Sequence, residues 1–198
     1  MMKLIALAEL NATPWKNGGG VTRELASHPA ASNLGDFIWR ISIAQVSQSG
    51  AFSVFPGIDR IITLLNGSGM RLTSEDGRRH DLTTPLAPYS FPGEALVQAQ
   101  LIDTPCTDFN LMLRRQVVAG SVIVQRHPST LRSEDLVALV CVAGQWDITF
   151  TDGSTQTLSA QHALTGDAPA GSVLIDPVHA DSTLLSVHIT FHHTRQPT

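Results

Sequence analysis

Ile62-Thr63-Leu64-Leu65-Asn66-Gly67, an apolar run stopped by an Asn-Gly turn, returns 77 residues later as Leu139-Val140-Cys141-Val142-Ala143-Gly144. Further along, Asp76-Gly77 followed by Leu82 is matched by Asp152-Gly153 followed by Leu158, now 76 residues on. Pro92-Gly93-Glu94-Ala95-Leu96-Val97 finds its partner in Ala170-Gly171-Ser172-Val173-Leu174-Ile175. Strand, glycine turn, strand, Asp-Gly hairpin, Pro/Gly turn, strand is the order of a jelly-roll barrel. A unit that occurs twice at a fixed offset predicts two copies of one module. The chain is therefore expected to be all-β, with residues 1–118 as one barrel and 119–198 as the other, joined near Val117 to Leu131.

Other short apolar runs bounded by Gly, Pro, Asn or Asp fit this pattern, and almost no stretch sustains a helical period. Strands are expected over Phe37 to Ala44, Ile58 to Leu65, Phe109 to Arg114, Ser121 to Gln125, Leu136 to Val142, Trp146 to Phe150, Ser172 to Ile175 and Thr183 to Phe191. One helical turn is expected near Ser129 to Asp135.

The 198 residues suffice to bury a core without a covalent staple. Cys106 and Cys141 form no Cys-x-x-Cys pair, and Cys141 lies inside an apolar run, so both read as reduced packing residues. The apolar stretch Leu4 to Ala8 is too short for the core of a secretory signal and is stopped by Glu9. No later run approaches the ~20 residues of a membrane span. A cytoplasmic protein is the expectation. The net charge of −4, with 13 scattered Lys and Arg, gives no footprint for nucleic acid or anionic lipid.

The densest polar stretch is Trp15-Lys16-Asn17-Gly18-Gly19-Gly20, followed by Thr22-Arg23-Glu24. Three glycines cost much conformational entropy and suit a place of positive φ or close backbone approach. The aromatic and charged flank points to a ligand-facing loop rather than a flexible linker. It is not a Walker loop, because the lysine precedes the glycines and a strand follows.

Alternation puts Ile38, Arg40 and Ser42 on one face of a strand and Trp39, Ile41 and Ile43 on the other. Arg60 and Arg114 occupy comparable places on two further strands, Arg114 with Asn110 and Met112 on its face. Arginines inside strands pair with internal acids or bind carboxylate or phosphate bidentately. Phe52 and Phe55, in the turn before Arg60, could wall a pocket or pack the core. No metal site is expected. None of His28, His80, His127, His162, His179, His188, His192 and His193 forms a His-x-His pair, although His188 and His192 could share a strand face. No cofactor is expected either.

Four ordered motifs carry a resemblance: Trp15-Lys-Asn-Gly-Gly-Gly-x-Thr-Arg-Glu24, Trp39-Arg-x-Ser-x-Ala44, Gly50-x-Phe-Ser-x-Phe-Pro-Gly-x-Asp-Arg60 and Asp108-Phe-Asn-x-Met-x-Arg114. Together they resemble the HutD/Ves family, over roughly residues 2 to 190. The resemblance implies a bicupin, two tandem RmlC-like jelly-roll barrels, without the usual cupin metal ligands. Its HutD branch is linked to bacterial histidine utilisation, which implies a regulator or sensor binding urocanate or N-formylglutamate; the Ves branch is associated with stress-induced expression. The pocket positions carry over as Trp15, Lys16, Asn17, Gly18, Gly19, Thr22, Arg23, Glu24, Arg40, Phe52, Arg60, Asn110 and Arg114.

Two functions remain open at this point. The first is a non-catalytic binder of a small carboxylate held by Arg40, Arg60 or Arg114, with Asn17 or Asn110 reading a polar group. No Gly-x-Ser-x-Gly elbow and no activated cysteine argues for a nucleophile. The second is a metal-independent isomerase or hydrolase with Glu24 as general base and Lys16 or Arg60 stabilising negative charge. Fewer charged residues lie in the strands of the second copy, which places the site in the first. A homodimer paired through an exposed sheet is a further expectation.

Overall fold

The computed structural model describes residues 2–103 and 105–192. The chain begins with β1 (Lys3–Ala6), a 3-10 turn (Leu7–Glu9), β2 (Ala12–Pro14), β3 (Gly20–His28), β4 (Trp39–Val46), β5 (Gly50–Ala51) and β6 (Ile58–Asn66). It continues through β7 (Met70–Ser74), β8 (Arg79–Leu82), β9 (Tyr89–Pro92), β10 (Val97–Leu101), β11 (Cys106–Arg114) and β12 (Val118–Gln125). It ends with β13 (Ser129–Arg132), β14 (Leu136–Ala143), β15 (Gln145–Phe150), β16 (Thr155–Ser159), β17 (His162–Thr165), β18 (Ser172–Pro177) and β19 (Thr183–Phe191).

The strands sort into two compact units. One comprises residues 11–119 with 191 and 192; the other comprises residues 2–10 and 120–190. Residues 2–10 belong with the second because β1 lies antiparallel on β17, Lys3 opposite Thr165 and Ala6 opposite His162. The N-terminal unit has a six-stranded sheet, β2-β3-β4-β11-β6-β9, and a four-stranded sheet, β5-β10-β7-β8. The C-terminal unit has a five-stranded sheet, β1-β17-β14-β19-β12, and a four-stranded sheet, β13-β18-β15-β16.

Each unit is filled by residues of the repeat. The N-terminal core holds Ile62, Leu64, Met70, Leu72, Leu82, Val97 and Ala99. The C-terminal core holds Leu139, Cys141, Trp146, Ile148, Leu158, Val173 and Ile175. Taken in order these are seven matched pairs, the first two 77 residues apart and the other five 76 apart. Alternating positions on both sheets of a unit point into the same space, and burying them supplies the drive for folding. Gly67 and Gly144 end the first matched strands with φ of +94° and +67°, a region open to glycine at no steric cost.

Two expectations fail. Ser129 to Asp135 contains no helical turn; Ser129–Arg132 is β13, paired antiparallel with β18 from Ser129 opposite Ile175 to Arg132 opposite Ser172. The Val117 to Leu131 join is mostly strand, since β12 runs Val118–Gln125. In both places Ser, Arg and Pro gave the sequence a turn-like look that cross-strand hydrogen bonding overrides.

Candidate functional site

The glycine-rich stretch is the β2–β3 hairpin turn. Trp15 N–H donates to Gly20 O at 2.9 Å and Gly18 N–H to Trp15 O at 3.0 Å, closing the loop between Pro14 and its partner Val21. Gly18 sits at φ +71°, and Asn17 Oδ1 accepts from Gly19 N–H at 3.0 Å. A Cβ on Gly20 would run into Gln45 O and lie 3.2 Å from the Trp15 ring. The glycines thus let Trp15 fold down on the strands. Its ring packs on the N-terminal core and its Nε1–H donates to Thr22 Oγ1 at 2.7 Å.

From Thr22 a polar row crosses the six-stranded sheet on the face that carries Ile62 and Leu64 into the core. Register places Thr22 opposite Ala44, Glu24 opposite Ser42, Ser42 opposite Asn110 and Asn110 opposite Ile62. One rung away, Arg40 and Arg60 flank Met112, and Arg60 has Phe91 on its other side. Alternation therefore points Thr22, Glu24, Arg40, Ser42, Asp108, Asn110 and Arg60 to one face.

The two arginines of that row differ. Arg40 Nε donates to Glu24 Oε2 at 2.6 Å, and Glu24 also accepts from Ser27 Oγ at 2.8 Å. Arg40 therefore has a counter-ion, and Glu24 is an ion-pair partner rather than an unengaged base. Arg60 is 9% exposed and has no carboxylate within ion-pairing distance among the described residues. Its Nη atoms make only long bonds, to Ser53 O at 3.4 Å and Asn110 Oδ1 at 3.5 Å, and its Nε has no partner. The rings of Phe52, Phe55 and Phe91 surround its guanidinium at 5.0, 5.7 and 4.9 Å, which supplies cation–π attraction but no acceptor. Burial lowers its pKa to about 10, Asp108 opposing and Arg40 reinforcing the shift, so it stays charged at neutral pH.

Asp108 is the residue that sequence reading passed over. It is 1% exposed, accepts a short hydrogen bond from Asn110 Nδ2 on Oδ1, and leaves Oδ2 without a partner. Burial pushes its carboxyl up to about 7, against the pull of Asn110 and Arg60. The repeat could have drawn attention to it, because the residue 76 places on is Leu184, a core position of the C-terminal unit.

Other expected members do not join this group. Lys16 is exposed, and Arg23, opposite Ile43, lies on the other face of β3. Arg114 donates to the carbonyls of Phe37 at 3.1 Å and Gly35 at 2.9 Å, pinning the loop before β4. Asp59, next to Arg60, is paired with Arg115 at 2.7 Å. A cavity of about 350 Å³ lies along the 74–78 and 89–96 turns, where Asp76 and Glu94 are already paired with Arg78 and Arg115.

In the C-terminal unit, inward-facing Ser186 and His188 hold the places of Asn110 and Met112. His188 contacts Asp135 Oδ1 at 3.2 Å through Nδ1 and Ser186 Oγ at 3.1 Å through Nε2, and Gln125 Nε2 donates to the same oxygen at 3.1 Å. That network is polar and closed on itself. His188 and His192 do not act together, His192 Nε2 lying 3.1 Å from Arg115 O. No group of three His, Cys, Asp or Glu side chains converges among the described residues; His193 lies outside them.

Known proteins share this architecture. HutD from Pseudomonas fluorescens SBW25 (formate condition) is 29% identical, with a TM-score of 0.83 over 97% of this chain and 100% of that one. The conserved protein PA5104 from Pseudomonas aeruginosa PAO1 is 26% identical, with a TM-score of 0.82 over 96% and 98%. Oxalate decarboxylase from Lactobacillus farciminis, at 8% identity and a TM-score of 0.65 over 93% and 85%, shares the fold alone. The double-barrel architecture is that of a bicupin. With the HutD family model matching residues 7–184, the chain belongs to the HutD family.

Proposed function

We propose that the N-terminal barrel binds a small carboxylate and that Arg60 holds it. One observation carries this reading: a buried guanidinium has no anionic partner and an unused Nε–H. A cation taken from water costs several kcal/mol unless its donors are re-satisfied, and a carboxylate accepts from Nε and Nη as a matched pair. Trp15 and Phe52 offer faces for a flat or acyl portion. Family membership supports a role in histidine utilisation, as a sensor or regulator responding to urocanate or N-formylglutamate. Asn110 and Thr22 are the neighbouring polar readers in this account.

A metal-independent reaction on the same ligand is the second reading. What favours it is Asp108, whose carboxyl at about 7 can both hold and release a proton at neutral pH, whereas Glu24 is committed to Arg40. Slow conversion of a bound acid that vanished in Asp108→Asn would establish it.

Thermal shift of the intact chain tests the first reading. Urocanate, N-formylglutamate and formate are each compared with their uncharged carboxamides, with and without EDTA. A ligand at 100 times its Kd contributes about 2.7 kcal/mol, or roughly 5–10 °C. A shift with an acid, none with its amide and no change with EDTA is expected. No shift from any acid, or equal shifts from acid and amide, contradicts it.

A further inference from the structure

The inner face of the N-terminal barrel holds two buried polar atoms without a partner, one on each side of Asn110: Nε of Arg60 and Oδ2 of Asp108. The fold does not require either charge. Leu184 pairs with Cys141 in the C-terminal unit as Asp108 pairs with Leu64, and leucine completes that core. A buried carboxyl where the repeat tolerates leucine costs stability, so it points to a task other than packing.

We propose that the ligand of this barrel is a monocarboxylate that also carries a hydrogen-bond-donating nitrogen, its carboxylate taken by Arg60 and its N–H donated to Asp108 Oδ2. This rests on the reading of Arg60 as the carboxylate anchor. Asn110 sets the spacing, since its Oδ1 lies 3.5 Å from Arg60 Nη2 while its Nδ2 donates to Asp108 Oδ1. One carboxamide and two hydrogen bonds put the anchors about 6–8 Å apart. Formate and acetate cannot reach both. A dicarboxylate does not fit, because its second charge needs another unpaired cation and Arg40 already holds Glu24. Near Asp108 that charge would meet a like one.

The titratable side chains on this face or stacked against it are Glu24, Arg40, Arg60, His80, Tyr89 and Cys106, and of these Arg60 and Cys106 are coupled to Asp108. Above neutral pH Asp108 is ionised and its Oδ2 can only accept. Calorimetric titration at about pH 8.5 of the intact chain therefore compares trans-urocanate, trans-cinnamate and trans,trans-muconate, at a pH where the carboxylate form prevails. Cinnamate keeps the flat acrylate but lacks the nitrogen, and muconate carries a second carboxylate. Urocanate is expected to bind at least about tenfold tighter than cinnamate, the worth of a hydrogen bond to a charged acceptor. Asp108→Asn turns the group at Oδ2 from acceptor to donor, and should bring the two within about threefold while leaving cinnamate unchanged. Asp108→Leu, the residue of the twin position, provides a second variant should the first fold poorly. Equal affinities in the wild type, tightest binding of muconate, or a preference that survives both variants overturns the inference and leaves the carboxylate reading in place. No binding of any of the three overturns both.

Discussion

A guanidinium without an anion and a carboxyl without a cation, both inside one barrel, are each costly by several kcal/mol in isolation. Asp108 makes its cost measurable through pH. Its pKa is about 7 folded against 3.8 as the ordinary value, so the native state binds the extra proton. Its stabilising contribution is complete below the unfolded value and is lost as pH rises through about 7. Asp108→Asn is therefore expected to gain on the wild type between about pH 5 and pH 8, by a few kcal/mol at most. Urea denaturation at a series of pH values checks this; parallel profiles would show that Asp108 is ionised throughout.

At the scale of elements, the β2–β3 hairpin positions Trp15 over Thr22 because Gly20 allows the ring to approach. Gly20→Ala places a methyl against the Gln45 backbone, and overpacking of this kind costs about 1–3 kcal/mol. A lowered melting temperature is expected, and an unchanged one would mean that the hairpin shifts to make room. This element also shows what a sequence can reveal. The triplet Gly18-Gly19-Gly20 reads as close backbone approach, and that is its role, but what approaches is the chain's own Trp15. Alternation on β4 and β6 was enough to bring Arg40 and Arg60 to one face. Which of the two had a counter-ion depended on β3, where Glu24 meets Ser42 only through the sheet register. Asp108 was hidden because an aspartate in an apolar strand looks like an edge residue until its neighbours close over it. Arg114 and Arg23 show the limit of residue type alone, one spent on loop carbonyls and the other turned to the opposite face.

Across the whole molecule, two copies of one barrel keep the same core spacing and diverge where Asp108 and Asn110 stand opposite Leu184 and Ser186 in the repeat. The C-terminal unit satisfies its polar residues internally through Gln125, Asp135 and His188. A single carboxylate per chain is therefore expected, rather than one per barrel. No helix among the described residues is long and apolar enough to cross a membrane. Titration calorimetry of the wild type and Arg60→Met with the tightest acid of the thermal-shift panel tests the central claim. The substitution puts an uncharged thioether within the cage of three phenylalanines, where sulfur–aromatic contact is favourable. The account predicts one site per chain, at least about a hundredfold weaker binding in the variant, and a ligand-free melting temperature no lower than wild type. Equal affinity for the two proteins would contradict it.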